Sequence, residues 1–143
     1  MKVTKADSEA LKEKAFAIRR EVFVVEQEVA TADEFDEFED ISTHFVALDD
    51  ADNPIGAARW RVTDKGIKLE RFAVKKSARG QGVGAKLIGL VIKDIQDQKG
   101  KDQYLYLHAQ LPAVALYEKF GFEKKGDQFS ECDILHYLMH RKS

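Results

Sequence analysis

The segment Arg79-Gly80-Gln81-Gly82-Val83-Gly84 follows an apolar run, residues 67–74, and precedes a helical pattern that begins at Ala85. This order predicts a strand, a glycine loop and a helix. The first turn of a helix has unpaired N–H groups and the positive end of the helix dipole, and glycines let an anion approach that backbone closely. The segment therefore predicts a pyrophosphate-binding loop, with a tight turn that binds no ligand as the alternative.

The spacing of the glycines distinguishes between the known types of phosphate-binding loop. A P-loop ends in Gly-Lys-Ser/Thr so that the lysine reaches the phosphates, but Ala85 follows Gly84 here. A Rossmann loop has Gly-x-Gly-x-x-Gly and an acid at the end of the next strand, whereas Asp102 precedes the next apolar run. Both fit weakly. The remaining pattern, Arg-x-x-Gly-x-Gly, resembles the pyrophosphate loop of the GNAT acetyltransferases, which bind acetyl-CoA.

A second segment, residues 113–122, predicts a short helix that ends at Gly121 and is followed by an apolar strand. It resembles the second GNAT signature, Ala-x-x-Leu-Tyr-x-x-x-Gly-Phe. In that family the tyrosine hydroxyl lies near the sulfur of coenzyme A, which implies that Tyr117 is the general acid. Taken alone, a tyrosine at this position is more often a packed helix aromatic than an acid. The pair of signatures, with one apolar run between them, is much more specific than either.

Residues 19–27 resemble the Arg-x-x-Val-Phe-Val-x-Glu-Gln stretch of the ElaA/YjcF-type GNAT proteins, and the resemblance extends over nearly the whole chain. It implies one GNAT N-acetyltransferase domain, residues 1–143, with acetyl-CoA as cosubstrate and no metal. The chain departs from the subgroup at one turn, where Asp133-Ile134-Leu135-His136 stands in place of the usual Gly-Ile-Pro-His. The subgroup itself has Gln110 where many GNAT proteins have Asn.

The resemblance also implies site residues. The cosubstrate-binding residues are Phe72, Ala73, Val74, Arg79, Gly80, Gln81, Gly82, Val83, Gly84, Gln110 and Tyr117. A backbone N–H near Val74 would hold the thioester carbonyl. Glu70 could remove the proton of the acceptor ammonium, or it could simply pair with Arg61 or Arg71. The expected acceptor-binding residues are Glu26, Asp33, Asp36 and His136.

The segment from Glu26 to Asp40 contains eight acidic residues and no lysine or arginine. Most of its carboxylates are expected to be solvated in a loop. The alternative is an acidic entrance, rimmed by Phe35 and Phe38, that attracts a cationic amine. Glu26 is expected to pair with Arg19, because acids are seldom buried without a partner.

The hydrophobic pattern predicts an α/β (α+β) fold with a mixed, mostly antiparallel central sheet flanked by helices. Asp7-Ser8 caps a first helix, and further helices begin at Ala85 and Ala113. The predicted strands are residues 44–48, 54–62, 67–74, 104–109 and 134–139. A chain of 143 residues is long enough to bury the core of one domain.

The amino-acid composition limits the partners that the protein is expected to bind. A net charge of −2 gives no reason to expect nucleic acid or an anionic membrane. The single Cys132 excludes an intramolecular disulfide and a multi-cysteine zinc site, which favours a reducing cytoplasm. No stretch approaches the length of a membrane span. The oligomeric state stays open between a monomer and a homodimer.

The function these residues predict is acetyl-CoA-dependent N-acetyl transfer to a primary amine of a small molecule or a protein, by direct attack on the thioester. The alternative is a non-catalytic GNAT-fold module that binds acyl-CoA as a sensor or a partner-binding protein. A third and weaker hypothesis is a nucleotide-binding protein with a different kind of loop. Tyr117 and Glu70 favour the enzyme, because a module that only binds needs neither.

Overall fold

The computed structural model describes residues 1–143 as one seven-stranded sheet with helices on both faces. The strands are β1 Lys2–Lys5, β2 Thr43–Leu48, β3 Pro54–Val62, β4 Ile67–Val74, β5 Tyr104–Gln110, β6 Glu123–Glu131 and β7 Ile134–Lys142. The helices are α1 Glu9–Arg19, which continues as a π-helix over Arg20–Glu26, then α2 Thr31–Glu34, α3 Val83–Lys99 and α4 Val114–Lys119. Single 3₁₀ turns lie at Lys76–Ala78 and Leu111–Ala113.

The strand order is β1-β2-β3-β4-β5-β7-β6. Every neighbouring pair is antiparallel except β4 and β5, which are parallel. A parallel connection needs a crossover, and α3 supplies it. The predicted single domain with a mixed, mostly antiparallel sheet flanked by helices is confirmed.

The parallel pair β4–β5 is short, and this opens the sheet. The two strands pair only at Ile67 with Leu105 and at Lys68 with Tyr106. Beyond these residues the strands separate, so their facing edges are unpaired. On its other side β4 pairs with β3 through a register shift, and Arg71 has a left-handed φ of 60°. A bulge of this kind bends a strand, which accounts for the separation from β5.

Both faces of the central strands are buried. Phe45 and Ala47 of β2 pack in the cluster under α3, whereas Val46 and Leu48 pack in the cluster under α1. Successive strand residues point to opposite faces, so a strand covered on both sides reads as a continuous apolar run. This explains why residues 44–48 form a strand although apolar and polar residues do not alternate along them.

One strand was not predicted from the sequence, and another differs in character from its prediction. β1 is a short edge strand with no apolar alternation. β6 was expected to be apolar after Gly121, but almost all of it is exposed, since it forms the far edge of the sheet beside β7. The helix after the glycine loop begins at Val83, two residues earlier than predicted. The acidic segment contains α2, which no periodicity marked.

Gly56 lets α3 lie close to the sheet, and replacing it tests that packing. A Cβ at Gly56 would lie 2.9 Å from Val83 Cγ1 and 3.0 Å from Leu87 Cδ1. We expect Gly56→Ala to lower the free energy of unfolding by about 1–3 kcal/mol, because the core there is already filled. The matched control is Gly89→Ala inside α3, where the new Cβ would lie 3.8 Å from Phe120. That change should stabilise the protein by about 0.5–1 kcal/mol, the helix preference for Ala over Gly. Urea unfolding measures both, and equal stability of the two variants would contradict the packing argument.

Candidate active site

The separation of β4 and β5 opens a cleft of about 540 Å³. Its walls come from both strands, from the end of the π-helix, from the acidic segment and from the turn between β6 and β7. The sequence-predicted residues that line it are Asp33, Asp36, Glu70, Phe72, Gln110, Tyr117 and His136. Residues that are far apart in the sequence thus meet in one cleft.

The glycine loop lies at the N-terminus of α3. Gly82 is the residue before the helix and has a left-handed φ of 83°, and Gly80 has a φ of 80°. A Cβ built on either residue would meet no atom within 4 Å, so the space in front of the loop is open. No side chain caps the helix, which leaves its first N–H groups available to an anion. The loop therefore has the backbone and the room that a pyrophosphate needs.

Arg79 of this loop is paired with Glu26. Its guanidinium donates to both carboxylate oxygens of Glu26 at 2.7 Å, and Nε donates to the Val74 carbonyl at 3.0 Å. The hydrogen bond from Arg79 lowers the pKa of Glu26. The expected pair of Glu26 with Arg19 is wrong, because Arg19 lies inside the protein and binds Glu34 and Glu39 instead.

Tyr117 is 7% exposed in α4, and its ring packs edge-to-face on Phe72 and Phe122 at centroid distances of 5.9 and 6.1 Å. Its hydroxyl has no hydrogen-bond partner in the protein, although the residue lines the cleft. Burial raises the pKa of Tyr117 above its ordinary value, so the phenol stays protonated at neutral pH. A protonated hydroxyl with a free O–H is what a proton donor needs.

Glu70 is held by cations. Arg61 Nε lies 2.7 Å from its Oε2, Arg59 Nε lies 2.8 Å from the same oxygen, and Lys68 Nζ lies 3.3 Å from Oε1. Burial raises the pKa of Glu70, but Arg59, Lys68 and Arg71 outweigh it and lower the pKa to about 2. Of the two roles predicted for Glu70, the structure contains the ion pair. A carboxylate with this pKa is a weak base.

The acidic segment is only partly solvated. Arg59 is fully buried and donates to Asp36 at 2.8 and 2.9 Å and to Glu39 at 2.8 Å. Arg19, 1% exposed, donates to Glu34 and Glu39 at 2.7–2.8 Å. The expectation of a solvated loop is therefore wrong for three of the acids, since buried guanidinium groups require them. It is right for the five that are exposed: Glu26, Glu28, Asp33, Glu37 and Asp40.

His136 and Gln110 close the cleft from the β5–β7 side. His136 is 6% exposed, and its Nδ1 lies 2.7 Å from the Ile134 carbonyl. The altered turn before it therefore still presents the ring to the cleft. Gln110 and Gln27 exchange amide hydrogen bonds of 2.9 and 3.2 Å, which link β5 to the end of the π-helix.

Two residues in the cleft were not selected from the sequence. His108 of β5 and Glu131 at the end of β6 both line it, and His108 Nδ1 lies 3.0 Å from Glu131 Oε2. One sequence signal was available, since His108 precedes Gln110 by two residues and shares its face of the strand. Nothing in the sequence pairs it with Glu131, which the chain folds back from a separate strand.

Comparison with known proteins places the chain in a family. Residues 6–143 match the acetyltransferase (GNAT) domain, and the chain belongs to that family. It is 39% identical over 140 residues to YjcF of Bacillus subtilis (strain 168), described as an uncharacterized N-acetyltransferase, covering 97% of this chain and 98% of that protein. The fold also matches the crystal structure of Escherichia coli ElaA, with a TM-score of 0.83 at 23% identity and 99% of each chain covered. An aminoglycoside 6′-N-acetyltransferase crystallised with coenzyme A has the same fold, with a TM-score of 0.76 at 16% identity over 99% of this chain and 97% of that one.

The predicted kinship with the ElaA/YjcF-type GNAT proteins is thus confirmed, and the protein is an acyltransferase of the acetyl-CoA-dependent GNAT N-acetyltransferase family. None of its helices combines the length and the apolar composition needed to cross a bilayer. No group of three or more His, Cys, Asp or Glu side chains is arranged to hold a metal ion.

The buried ion pairs predict how stability depends on pH. Glu70 and Asp36 have pKa values of about 2 in the folded protein, below ordinary values of 4.5 and 3.8. A depressed pKa stabilises the fold fully above the ordinary value and loses that contribution as the pH falls towards 2. Urea unfolding should therefore show stability falling from pH 4.5 downwards. Glu70→Gln should lower the free energy of unfolding at pH 7 by about 3–5 kcal/mol, because it leaves buried cations underpaired. The variant should also lose less of its remaining stability between pH 4.5 and pH 2 than the wild type does.

The control for this experiment is Asp97→Asn, which removes an exposed carboxylate paired only with Lys93. Its stability should follow that of the wild type at every pH, since exposed pairs contribute little. If the stability of Glu70→Gln fell as steeply below pH 4.5 as that of the wild type, the neighbouring cations would not be holding this carboxyl ionised.

Proposed function

We propose that residues 1–143 form one N-acetyltransferase domain that transfers the acetyl group of acetyl-CoA to a primary amine of a small molecule or protein, by direct attack of the amine on the thioester. One observation carries the proposal: a single cleft joins the edge of β4, which leads to the open glycine loop, to the unpartnered hydroxyl of Tyr117. These are the places for the two chemical ends of acetyl-CoA, its pyrophosphate and its sulfur.

The cosubstrate would lie along the edge of β4. Residues 79–84 would bind the pyrophosphate through backbone N–H groups, and Arg79 would add its charge after leaving Glu26. Residues 72–74 have no strand partner on the β5 side, so their backbone groups are free to pair with the amides of the pantetheine arm. Gln110 faces them across the cleft and would contribute its side-chain amide.

The chemistry requires a neutral amine, a polarised carbonyl and a proton for the leaving thiolate. A backbone N–H near Val74 would stabilise the oxyanion that forms as the nitrogen attacks. Tyr117 would donate its proton to the sulfur as the C–S bond breaks. Holding amine and thioester together in one cleft would supply much of the rate.

The acceptor is proposed to carry a positive charge. Asp33 is exposed at the cleft and has no salt bridge, so it can meet an ammonium group directly. Asp36 is already committed to Arg59 and Arg71, and Glu26 to Arg79, so neither contributes a free charge. His136 is proposed to contact the acceptor from the β7 wall.

A non-catalytic acyl-CoA-binding module is the second candidate, and the ion pairs of Glu70 favour it, since they occupy the base predicted from the sequence. Two measurements separate the hypotheses. Thermal stabilisation by coenzyme A but not by ATP or NAD would reject a nucleotide-binding protein. Thiol release from acetyl-CoA across a panel of primary amines would establish the transferase, and binding without thiol release would establish the module.

The glycine loop is tested by placing a carboxylate where the pyrophosphate would lie. We expect Gly82→Asp to raise the Kd for coenzyme A at least tenfold, a loss of about 1.4 kcal/mol or more, through charge repulsion. Gly126→Asp is the control, because Gly126 lies in the exposed strand β6, outside the cleft, with a similar left-handed φ of 79° and equally open space. Urea unfolding of both variants checks that each still folds. Calorimetry should show wild-type affinity for the control, and equal losses in the two variants would reject the loop as the binding site.

The hydroxyl of Tyr117 is tested by Tyr117→Phe. The free energy of unfolding should hardly change, because the hydroxyl has no partner and the ring contacts with Phe72 and Phe122 remain. If the hydroxyl protonates the thiolate, single-turnover transfer should slow by about 10²-fold while the Kd for acetyl-CoA stays the same. Full transfer activity in the variant would leave Tyr117 as a packing residue.

A further inference from the structure

His108 and Glu131 form a hydrogen-bonded pair in the cleft. The Nδ1 of His108 lies 3.0 Å from Glu131 Oε2, and the ring packs edge-to-face on Phe129 at 5.0 Å. The carboxylate and the aromatic ring together fix the orientation of the imidazole. Because Nδ1–H donates to a carboxylate, Nε2 carries the lone pair, and no protein group hydrogen-bonds to it.

The pair opens into the same cleft as Tyr117, the proposed proton donor to the sulfur. β4 and β5 are last paired at Lys68 and Tyr106, and Glu70 and His108 each lie two residues further along their strands. Gln110 is the next residue on the face of His108, and Phe72, which contacts Tyr117, follows the bulge of β4. His108 therefore lies on the β5 wall of the cleft, opposite the wall that β4 forms with Glu70.

The other titratable groups around His108 are less suited to accept a proton. Glu70 is neutralised by four cations, Arg59, Arg61, Arg71 and Lys68, all on β3 or on the facing strand β4. His136 of β7 is almost fully buried and is oriented by a neutral carbonyl rather than a carboxylate. Tyr106 donates to or accepts from Thr63, and Cys132 is exposed at the rim.

We propose that His108, oriented by Glu131, is the general base that removes the proton of the acceptor ammonium. The proposal rests on the N-acetyl transfer proposed above for the same cleft. The hydrogen bond from His108 lowers the pKa of Glu131, with Lys68 and His136 adding to it against burial, so the carboxylate is ionised at neutral pH. An ionised carboxylate stabilises the imidazolium that forms when the base takes a proton.

The protons balance as follows. The acceptor ammonium gives one proton to Nε2 of His108, which later releases it to solvent. The neutral nitrogen forms a bond to the carbonyl carbon, and the C–S bond of the tetrahedral adduct then breaks. The thiolate takes a proton from Tyr117, and the second proton lost by the nitrogen replaces it. The products are the N-acetylated amine, coenzyme A with a free thiol, and one proton in solution.

The test is the pH dependence of kcat/KM for His108→Asn, whose side-chain amide keeps a donor for Glu131 but has no basic nitrogen. The wild type should lose activity as the pH falls, because a protonated Nε2 can no longer accept the proton of the ammonium. The variant should be slower by about 10²-fold at pH 7 and should recover towards high pH, where the amine loses its proton unaided. An acceptor that is already neutral at pH 7, such as an aromatic amine or hydrazine, should lose much less activity in the variant.

Two further variants complete the design. Glu131→Gln should shift the ascending limb to lower pH, because the imidazolium loses the carboxylate that stabilises it. His140→Asn is the matched control, since His140 bonds Tyr104 outside the cleft and should leave the profile unchanged. Coenzyme A affinity and urea unfolding, measured for each variant, separate a catalytic loss from a structural one.

The outcomes are distinct. Turnover with a pH profile that His108→Asn leaves unchanged overturns the role of His108 and leaves the transferase intact. The proposal is also overturned if His136→Asn, and not His108→Asn, slows the reaction at pH 7 and recovers towards high pH. Absence of thiol release by the wild type with every amine overturns the transferase, and the base with it.

Discussion

The positive charge of Arg59 has no exposure to water, and the fold is arranged around its neutralisation. Removing a guanidinium from solvent costs several kcal/mol, and only acids in good geometry offset that cost. Glu70 from the neighbouring strand and Asp36 and Glu39 from the acidic segment supply them. Glu39 also binds Arg19, so one carboxylate links both buried arginines. The acidic segment is therefore held against the sheet by charge, and its position forms one wall of the cleft.

The sequence predicted those parts of the site that a local pattern encodes. The glycine loop and the Tyr117 helix are each formed by one continuous stretch of sequence, and the structure has a loop and a helix where the pattern predicted them. The ion pairs were not predictable in the same way, because Arg59 and Asp36 are 23 residues apart and meet only when the segment folds back on β3. The same holds for Glu26, whose partner Arg79 is 53 residues away. Charge composition showed that the acids were unusual but could not show which cations they neutralise.

The cleft arises from strand pairing and a bulge, neither of which the hydrophobic pattern of the sequence reveals. It exists because β4 and β5 pair at only two positions and because a bulge with Arg71 in a left-handed conformation turns β4 aside. A bulge changes register by one residue, and the apolar pattern of residues 67–74 is the same with or without it. The strand that the pattern missed, β1, and the strand that it wrongly predicted to be apolar, β6, are the two edges of the sheet. Edge strands are exposed and need no apolar face, so they leave little signal in the sequence.

Two of the glutamates that line the cleft, Glu70 and Glu131, show how environment, more than residue type, determines a chemical role. Glu70 sits among Arg59, Arg61 and Lys68, and its negative charge is used in holding them. Glu131 has no arginine or lysine within salt-bridge distance, and its hydrogen bond goes to His108. The first carboxylate is thereby held ionised by its cations, whereas the second is hydrogen-bonded to an imidazole whose other ring nitrogen has no protein partner. A base is useful only if it can take up a proton and release it near the working pH. By that requirement the proposed base lies on the β5 wall of the cleft, whereas the charges of the β4 wall hold the fold together.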